Sequence, residues 1–136
     1  FEKNIKNLNF SYRKGFQYKN TIILYGKFIL HYGEQDLIKK LMKDYEGMRN
    51  LSQPQKVNCC GSIFKNPPGY NAWKLIKSSI DESFYKGPIK LSKKHSNFFE
   101  NDPNINSDMI ILFINKIRER VYRKYNINLE PELEIK

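Results

Sequence analysis

Apolar residues return at helical spacing from Gln35 to Met48: Leu37, Ile38, Leu41, Met42, Tyr45 and Met48, with lysines between them. That period places one apolar stripe on a rod and predicts an amphipathic helix. Pro67-Pro68-Gly69 breaks the chain before a second helix near Ala72–Ile80, with Trp73 and Ile76, or Leu75 and Ile80, as its buried positions. Asn106 or Ser107 can cap a third, longer helix reaching about Tyr125. Its inner face is Ile110, Phe113, Ile114, Ile117, Val121 and Tyr125, and Lys116, Arg118, Glu119, Arg123 and Lys124 lie opposite.

Strand signals fall between these helices. Thr21–Leu30 is rich in β-branched and aromatic residues and Gly33 closes it; a shorter strand is expected near Leu8–Tyr12, turned by Lys14-Gly15. Leu51–Asn66 carries Pro54 and no helical period, so it reads as loop with a short strand. Gly87-Pro88 leads into a strand at Ile89–Leu91, which Asn97–Phe99 extends or pairs with, and Leu129–Ile135 ends the chain as a strand. There is no internal repeat. Irregular alternation of this kind predicts an α+β fold, a small mixed or antiparallel sheet packed with about three helices.

Composition narrows the class. A chain of 136 residues, 40% hydrophobic and 14% aromatic, suits one folded domain with one core. No apolar run reaches the roughly 18 residues that span a bilayer. The opening Phe1-Glu2-Lys3-Asn4 shows no secretory pattern and no Met, which predicts numbering that starts inside a longer protein. Net charge is +10, from 24 Lys plus Arg against 14 Asp plus Glu. Such a balance raises nucleic acid, a membrane surface or an anionic small molecule as partners. The lysines are scattered rather than striped, which favours compositional bias with a few cations kept for a specific anion. The two cysteines, Cys59 and Cys60, are adjacent and distant from His31 and His95, so no metal-ligand spacing appears and reduced cytosolic thiols are expected. Asn9-Phe10-Ser11 and Asn50-Leu51-Ser52 match the glycosylation triplet by chance where no secretory signal precedes them.

The segment Gly61-Ser62-Ile63-Phe64-Lys65-Asn66-Pro67-Pro68-Gly69 resembles the signature of the UDP-N-acetylenolpyruvoylglucosamine reductase (MurB) family. Three further blocks follow the family's order and spacing. Tyr12-Arg13 matches its Tyr-Arg pair; Ser92-Lys93-Lys94-His95-Ser96-Asn97-Phe98 is similar to its S-x-K-H-A-N-F segment. Leu129-Glu130-Pro131-Glu132-Leu133-Glu134-Ile135 resembles its terminal L-E-P-E-V-x-I strand. One block is a weak signal, and four in order are a strong one. The short distance from Tyr12-Arg13 to Ser62 fits the shorter, type II subgroup.

What the resemblance implies is the C-terminal part of a bacterial, cytoplasmic flavoenzyme of peptidoglycan synthesis. It reduces UDP-N-acetylglucosamine enolpyruvate to UDP-N-acetylmuramate with FAD and NADPH. Residues 1–33 would be the end of the FAD-binding domain, an incomplete set of strands, and 34–136 the substrate-binding domain. The missing N-terminal FAD-binding half is the expected partner. No Gly-rich pyrophosphate-binding segment occurs here, so the chain alone is expected to bind no FAD and to be inactive. No metal, membrane or nucleic acid enters this scheme.

Hydride addition to C3 of the enolpyruvyl group leaves an enolate-like carbanion at C2, which must be stabilised and protonated. By resemblance Ser62 is the proton donor; on residue type alone it would be a turn residue. A serine hydroxyl can protonate so basic a centre when geometry is fixed, and Gly61 lets backbone approach the substrate closely. Arg13 would neutralise charge on the substrate carboxylate through its two-point guanidinium. Glu132 would be the third catalytic residue, acting protonated or by polarising a water or the Ser62 hydroxyl. Substrate contacts would fall to Tyr12, Arg49, Lys65, Asn66, His95 and Asn97, with a structural hydrogen bond as the alternative for the last two. Lys65 and Asn66 precede the second helix, whose N-terminal amides can face phosphate oxygens. Gly15 stands where the family has serine, and Glu134 where an arginine often follows the catalytic glutamate. Two rivals belong to other classes. A stand-alone UDP-sugar-binding domain shares the site without redox chemistry. A basic nucleic-acid module would draw on Tyr12, Phe16, Tyr18 and Lys19.

Overall fold

The structure is a computed structural model that describes residues 3–13, 21–55 and 58–133. It divides into two compact units, Phe1–Gln35 and Asp36–Lys136.

In the first unit Asn4 caps a 3₁₀ turn, Ile5–Asn7, by accepting from the Lys6 amide (3.0 Å). The expected strand at Leu8–Tyr12 shrinks to an isolated bridge at Ser11, and the Lys14-Gly15 turn lies outside the described residues, as do Phe16, Tyr18 and Lys19. The expected strand at Thr21–Leu30 does not form. No ladder runs over these residues, and Ile22, Leu24 and Ile29 stand exposed, the last at 94%. β-Propensity makes a segment fit for a sheet, but a strand exists only where a neighbour meets its backbone groups.

The second unit carries α1 (Gln35–Ser52, all but its first residue), α2 (Ala72–Ser79), a 3₁₀ turn (Glu82–Tyr85), β1 (Ile89–Leu91), β2 (Phe99–Asn101) and α3 (Ser107–Tyr125). Among the described residues three helices and a two-stranded antiparallel sheet thus realise the α+β class. β1 and β2 pair Ile89 with Asn101, Lys90 with Glu100 and Leu91 with Phe99, so one opposite-charge pair faces directly across. Pro67–Tyr70 forms a turn closed by the Tyr70 amide on the Pro67 carbonyl (2.9 Å). Pro68 presets one central position and Gly69, at φ 76°, supplies the left-handed other. α3 begins where Asn106 Oδ1 accepts from the Met109 amide (3.0 Å) and ends at Asn126 in left-handed backbone, φ 55°. The 3₁₀ turn, absent from the periodicity, is capped by Asp81, whose side chain accepts from the Ser83 amide (3.0 Å).

The core lies where α2 and α3 pack together over β1. Ala72, Leu75 and Ile76 meet Ile114, Ile117 and Val121, with Phe84, Leu91 and Phe99 closing one side. Trp73 is 36% exposed, so α2 buries its Leu75–Ile76 side. Tyr125, expected inside, keeps 38% exposure, and its hydroxyl bonds the Ser78 hydroxyl (2.7 Å) at the rim. α1 has the predicted period and buries nothing; even Leu41 is 42% exposed. Periodicity decides which face a helix offers, not whether anything covers it. Among the described residues no helix is long and apolar enough to cross a membrane.

Candidate functional site

Ser62 follows Gly61, whose φ of 86° suits glycine alone and turns the chain into the core. A Cβ placed at Gly61 would meet nothing within 4 Å, so the loop backbone there borders open space. Ile63 and Phe64, both fully buried, then anchor the segment. Phe64 forms an antiparallel bridge with Pro131. The Lys65 amide donates to the Glu130 carbonyl (2.9 Å) and the Glu132 amide to the Ile63 carbonyl (2.8 Å). Phe64 and Pro131 therefore occupy a non-hydrogen-bonded pair, the one kind of position where a residue without N–H costs the ladder nothing. Lys65 and Glu130 stand directly opposite, which explains the ion pair between their side chains. A bend at Ile63 takes Ser62 out of the ladder.

The other edge of Phe64 is met by a single side chain. The Phe64 amide donates to Asn97 Oδ1 (3.0 Å), Asn97 Nδ2 donates to the Phe64 carbonyl (2.8 Å), and the Ile63 amide donates to the Asn97 carbonyl (2.9 Å). Buried Asn97 thus stands in for a third strand and holds the Ser62 loop in place. Asn66 Oδ1 accepts from the Ala72 amide (2.9 Å), so it caps α2 across the Pro-Pro-Gly turn.

His95 packs edge-on against Phe98 (centroids 4.8 Å apart) and near Trp73 (6.1 Å). Its Nδ1 accepts from the Asn97 amide (3.2 Å), which places the neutral ring's proton on Nε2. Burial among these rings lowers the His95 pKa below the ordinary 6.5. A depressed folded value means that the unfolded chain takes up more protons between the two pKa values, so stability is lost as pH falls through 6.5. Thermal melts from pH 8 to 5 should show this decline, and His95→Gln should flatten it. A slope equal in both proteins would exclude His95 as the cause.

Three lysines missed as a group gather at an open hollow of about 380 Å³, where Lys90, Lys93 and Lys94 join Tyr85, Ser92 and Glu100. The signal was available: β1 and the turn after it supply all three within five residues. Arg49 is exposed on α1, its Nε donating to Gln53 Oε1 (3.3 Å). Tyr12 and Arg13 lie in the first unit, the guanidinium 5.5 Å from the Tyr12 ring centroid. Arg13 has φ 55°, a conformation that side chains other than glycine rarely adopt. The fold thus brings the Ser62, Lys65, Asn97 and Glu132 segments together, and Tyr12 and Arg13 belong to the separate unit. No group of three or more His, Cys, Asp and Glu side chains placed to hold a metal occurs among the described residues.

Residues 53–136 match the family described as UDP-N-acetylenolpyruvoylglucosamine reductase, C-terminal domain. The chain belongs to that family. A UDP-N-acetylenolpyruvoylglucosamine reductase of Carboxydothermus hydrogenoformans is 36% identical over 127 residues, 93% of this chain and 42% of the relative. One from Exiguobacterium sibiricum is 38% identical over 131 residues, 96% of this chain and 43% of the relative. The crystal structure of the Thermus caldophilus reductase, MurB, superposes with a TM-score of 0.75 at 25% identity, over 95% of this chain and 46% of that one. The chain spans less than half the length of these MurB relatives. Among the described residues the left-handed glycines 61, 69 and 87 are spread along the second unit, and the first amide of α2 is bonded by Asn66.

Proposed function

We propose that this chain is the substrate-protonating portion of a cytoplasmic, type II UDP-N-acetylmuramate dehydrogenase of peptidoglycan synthesis, acting on UDP-N-acetylglucosamine enolpyruvate. The observation that carries this reading is the Glu132 amide bonded to the Ile63 carbonyl, which sets the terminal Glu-Pro-Glu segment beside the Ser62 loop. Hydride delivery to C3 belongs to a flavin held outside this chain. Protonation of C2 is the task left to these residues. In this reading the Ser62 hydroxyl gives its proton to C2, and Glu132, with its Oε2 shut off from water, polarises that hydroxyl. Arg13 and Tyr12 take the substrate carboxylate, and Lys65, Asn66 and Arg49 the diphosphate sugar, while Asn97, with His95 bonded to its amide, supports the Ser62 loop. The exposed stripe of α1 and the uncovered Thr21–Leu30 segment suit coverage by the FAD-binding half.

The chain as it stands provides the test. Titration with the UDP-enolpyruvyl sugar should shift amide resonances of Ser62, Lys65 and Asn66, with no flavin absorbance in the purified protein. Tightly bound yellow cofactor would overturn the division of labour. Shifts confined to residues remote from the Gly61–Asn66 loop would overturn the site.

A further inference from the structure

Cys59 and Cys60 are both exposed. They lie on a span pinned at its two ends, where the Asn101 amide donates to the Asn58 carbonyl (3.2 Å) and the Ile63 amide to the Asn97 carbonyl (2.9 Å). From Asn58 to Gly61 no residue belongs to a helix or strand, and open space adjoins Gly61. Nothing in the reductase reading uses either sulfur.

Several ligands of a thiol pair can be weighed against this geometry. Neighbouring Cα atoms sit about 3.8 Å apart across a trans peptide, whereas a relaxed disulfide spans about 4.4–6.8 Å. A direct sulfur–sulfur bond here is therefore strained. A structural zinc ion takes four protein ligands, and among the described residues no group of even three His, Cys, Asp and Glu side chains gathers to hold a metal. Although the residue is exposed at the surface, partial desolvation of its thiol, with a smaller contribution from the neighbouring Cys59, pushes Cys60 up to about 11. At neutral pH it stays protonated and is a poor nucleophile for alkylation. What fits is a ligand that needs two thiols and no more, accepts them as neutral S–H groups, and inserts an atom between the sulfurs.

We propose that Cys59 and Cys60 together form a dithiol site for trivalent arsenicals carrying one organic substituent. Two As–S bonds form, each S–H gives up its proton, and the oxo oxygen of the reagent leaves with both protons as one water. Arsenic stays trivalent and no electrons are transferred. The bridging atom enlarges the eight-membered ring of a vicinal disulfide to nine members and holds the sulfurs farther apart. The site goes beyond the reductase reading and does not depend on what Ser62 does.

Phenylarsine oxide is the probe. Mixed with the 136-residue chain, it should add one phenylarsenic group per molecule with loss of one water, measured by intact mass. The adduct should protect Cys59 from maleimide, survive excess glutathione and be removed by 2,3-dimercaptopropanol. Cys59→Ser and Cys60→Ser should each lose the glutathione-resistant adduct while circular dichroism is unchanged. Cys59→Ala and Cys60→Ala provide a second pair should a serine disturb the fold. A single-cysteine variant that keeps the adduct against glutathione as well as the parent would overturn the proposal. So would a parent whose two thiols both titrate as reduced after unfolding in denaturant, yet which retains no arsenic when folded.

Discussion

Ser62→Ala in the complete flavoenzyme should leave flavin reduction by NADPH at its normal rate and slow reduction of the enolpyruvyl group by about 10²–10⁴-fold, the usual contribution of a positioned general acid. The split between the two half-reactions is the informative part. A serine that only shaped the loop would weaken substrate binding and leave the rate at saturation close to normal. The side chain is small, half-buried and outside the ladder, so its loss should leave the bonds of Ile63, Phe64 and Lys65 intact. Stopped-flow measurement of each half-reaction decides the matter. Equal slowing of both would remove Ser62 from the proton-donor role.

Asn97→Ala should be the most damaging single change to the second unit. It strips partners from the Phe64 amide and carbonyl, in a segment that is fully buried. A buried backbone group left without a partner costs about 1–3 kcal/mol, so the pair costs about 2–6 kcal/mol. Domains of this size are stable by about 5–15 kcal/mol, and the variant should melt far lower or fail to fold. Faster hydrogen exchange at the Phe64 amide should accompany the loss. A variant within about 0.5 kcal/mol of the parent, the range of an ordinary surface substitution, would show that the Asn97 clamp is dispensable.

The sequence was most legible where local chemistry decides the outcome. Asn106 and Tyr125 bound the long helix because a side-chain cap and a left-handed exit are local events. β1 was visible as Ile89–Leu91 because Gly87-Pro88 sets its start. Thr21–Leu30 misled because sheet formation is a property of two segments, and propensity describes one. α1 has the expected type, and its apolar stripe stays exposed for the same reason. In the site, the motif named Ser62 and Asn66, but no periodicity could reveal that Asn97 would bond Phe64 across 33 residues of chain. Lys65 and Glu130 likewise become partners only once Phe64 meets Pro131.

Two glutamates flank Pro131, and only Glu132 bonds back to Ile63, the residue after Ser62. The imino ring settles which. Sliding the terminal segment by one residue would force Pro131 into a slot that demands an amide hydrogen it lacks. Sliding by two would drag Leu129, 1% exposed, out of the interior. The alignment of residues 129–133 is thus fixed from both directions, and Glu130 cannot take the place of Glu132 opposite Ile63.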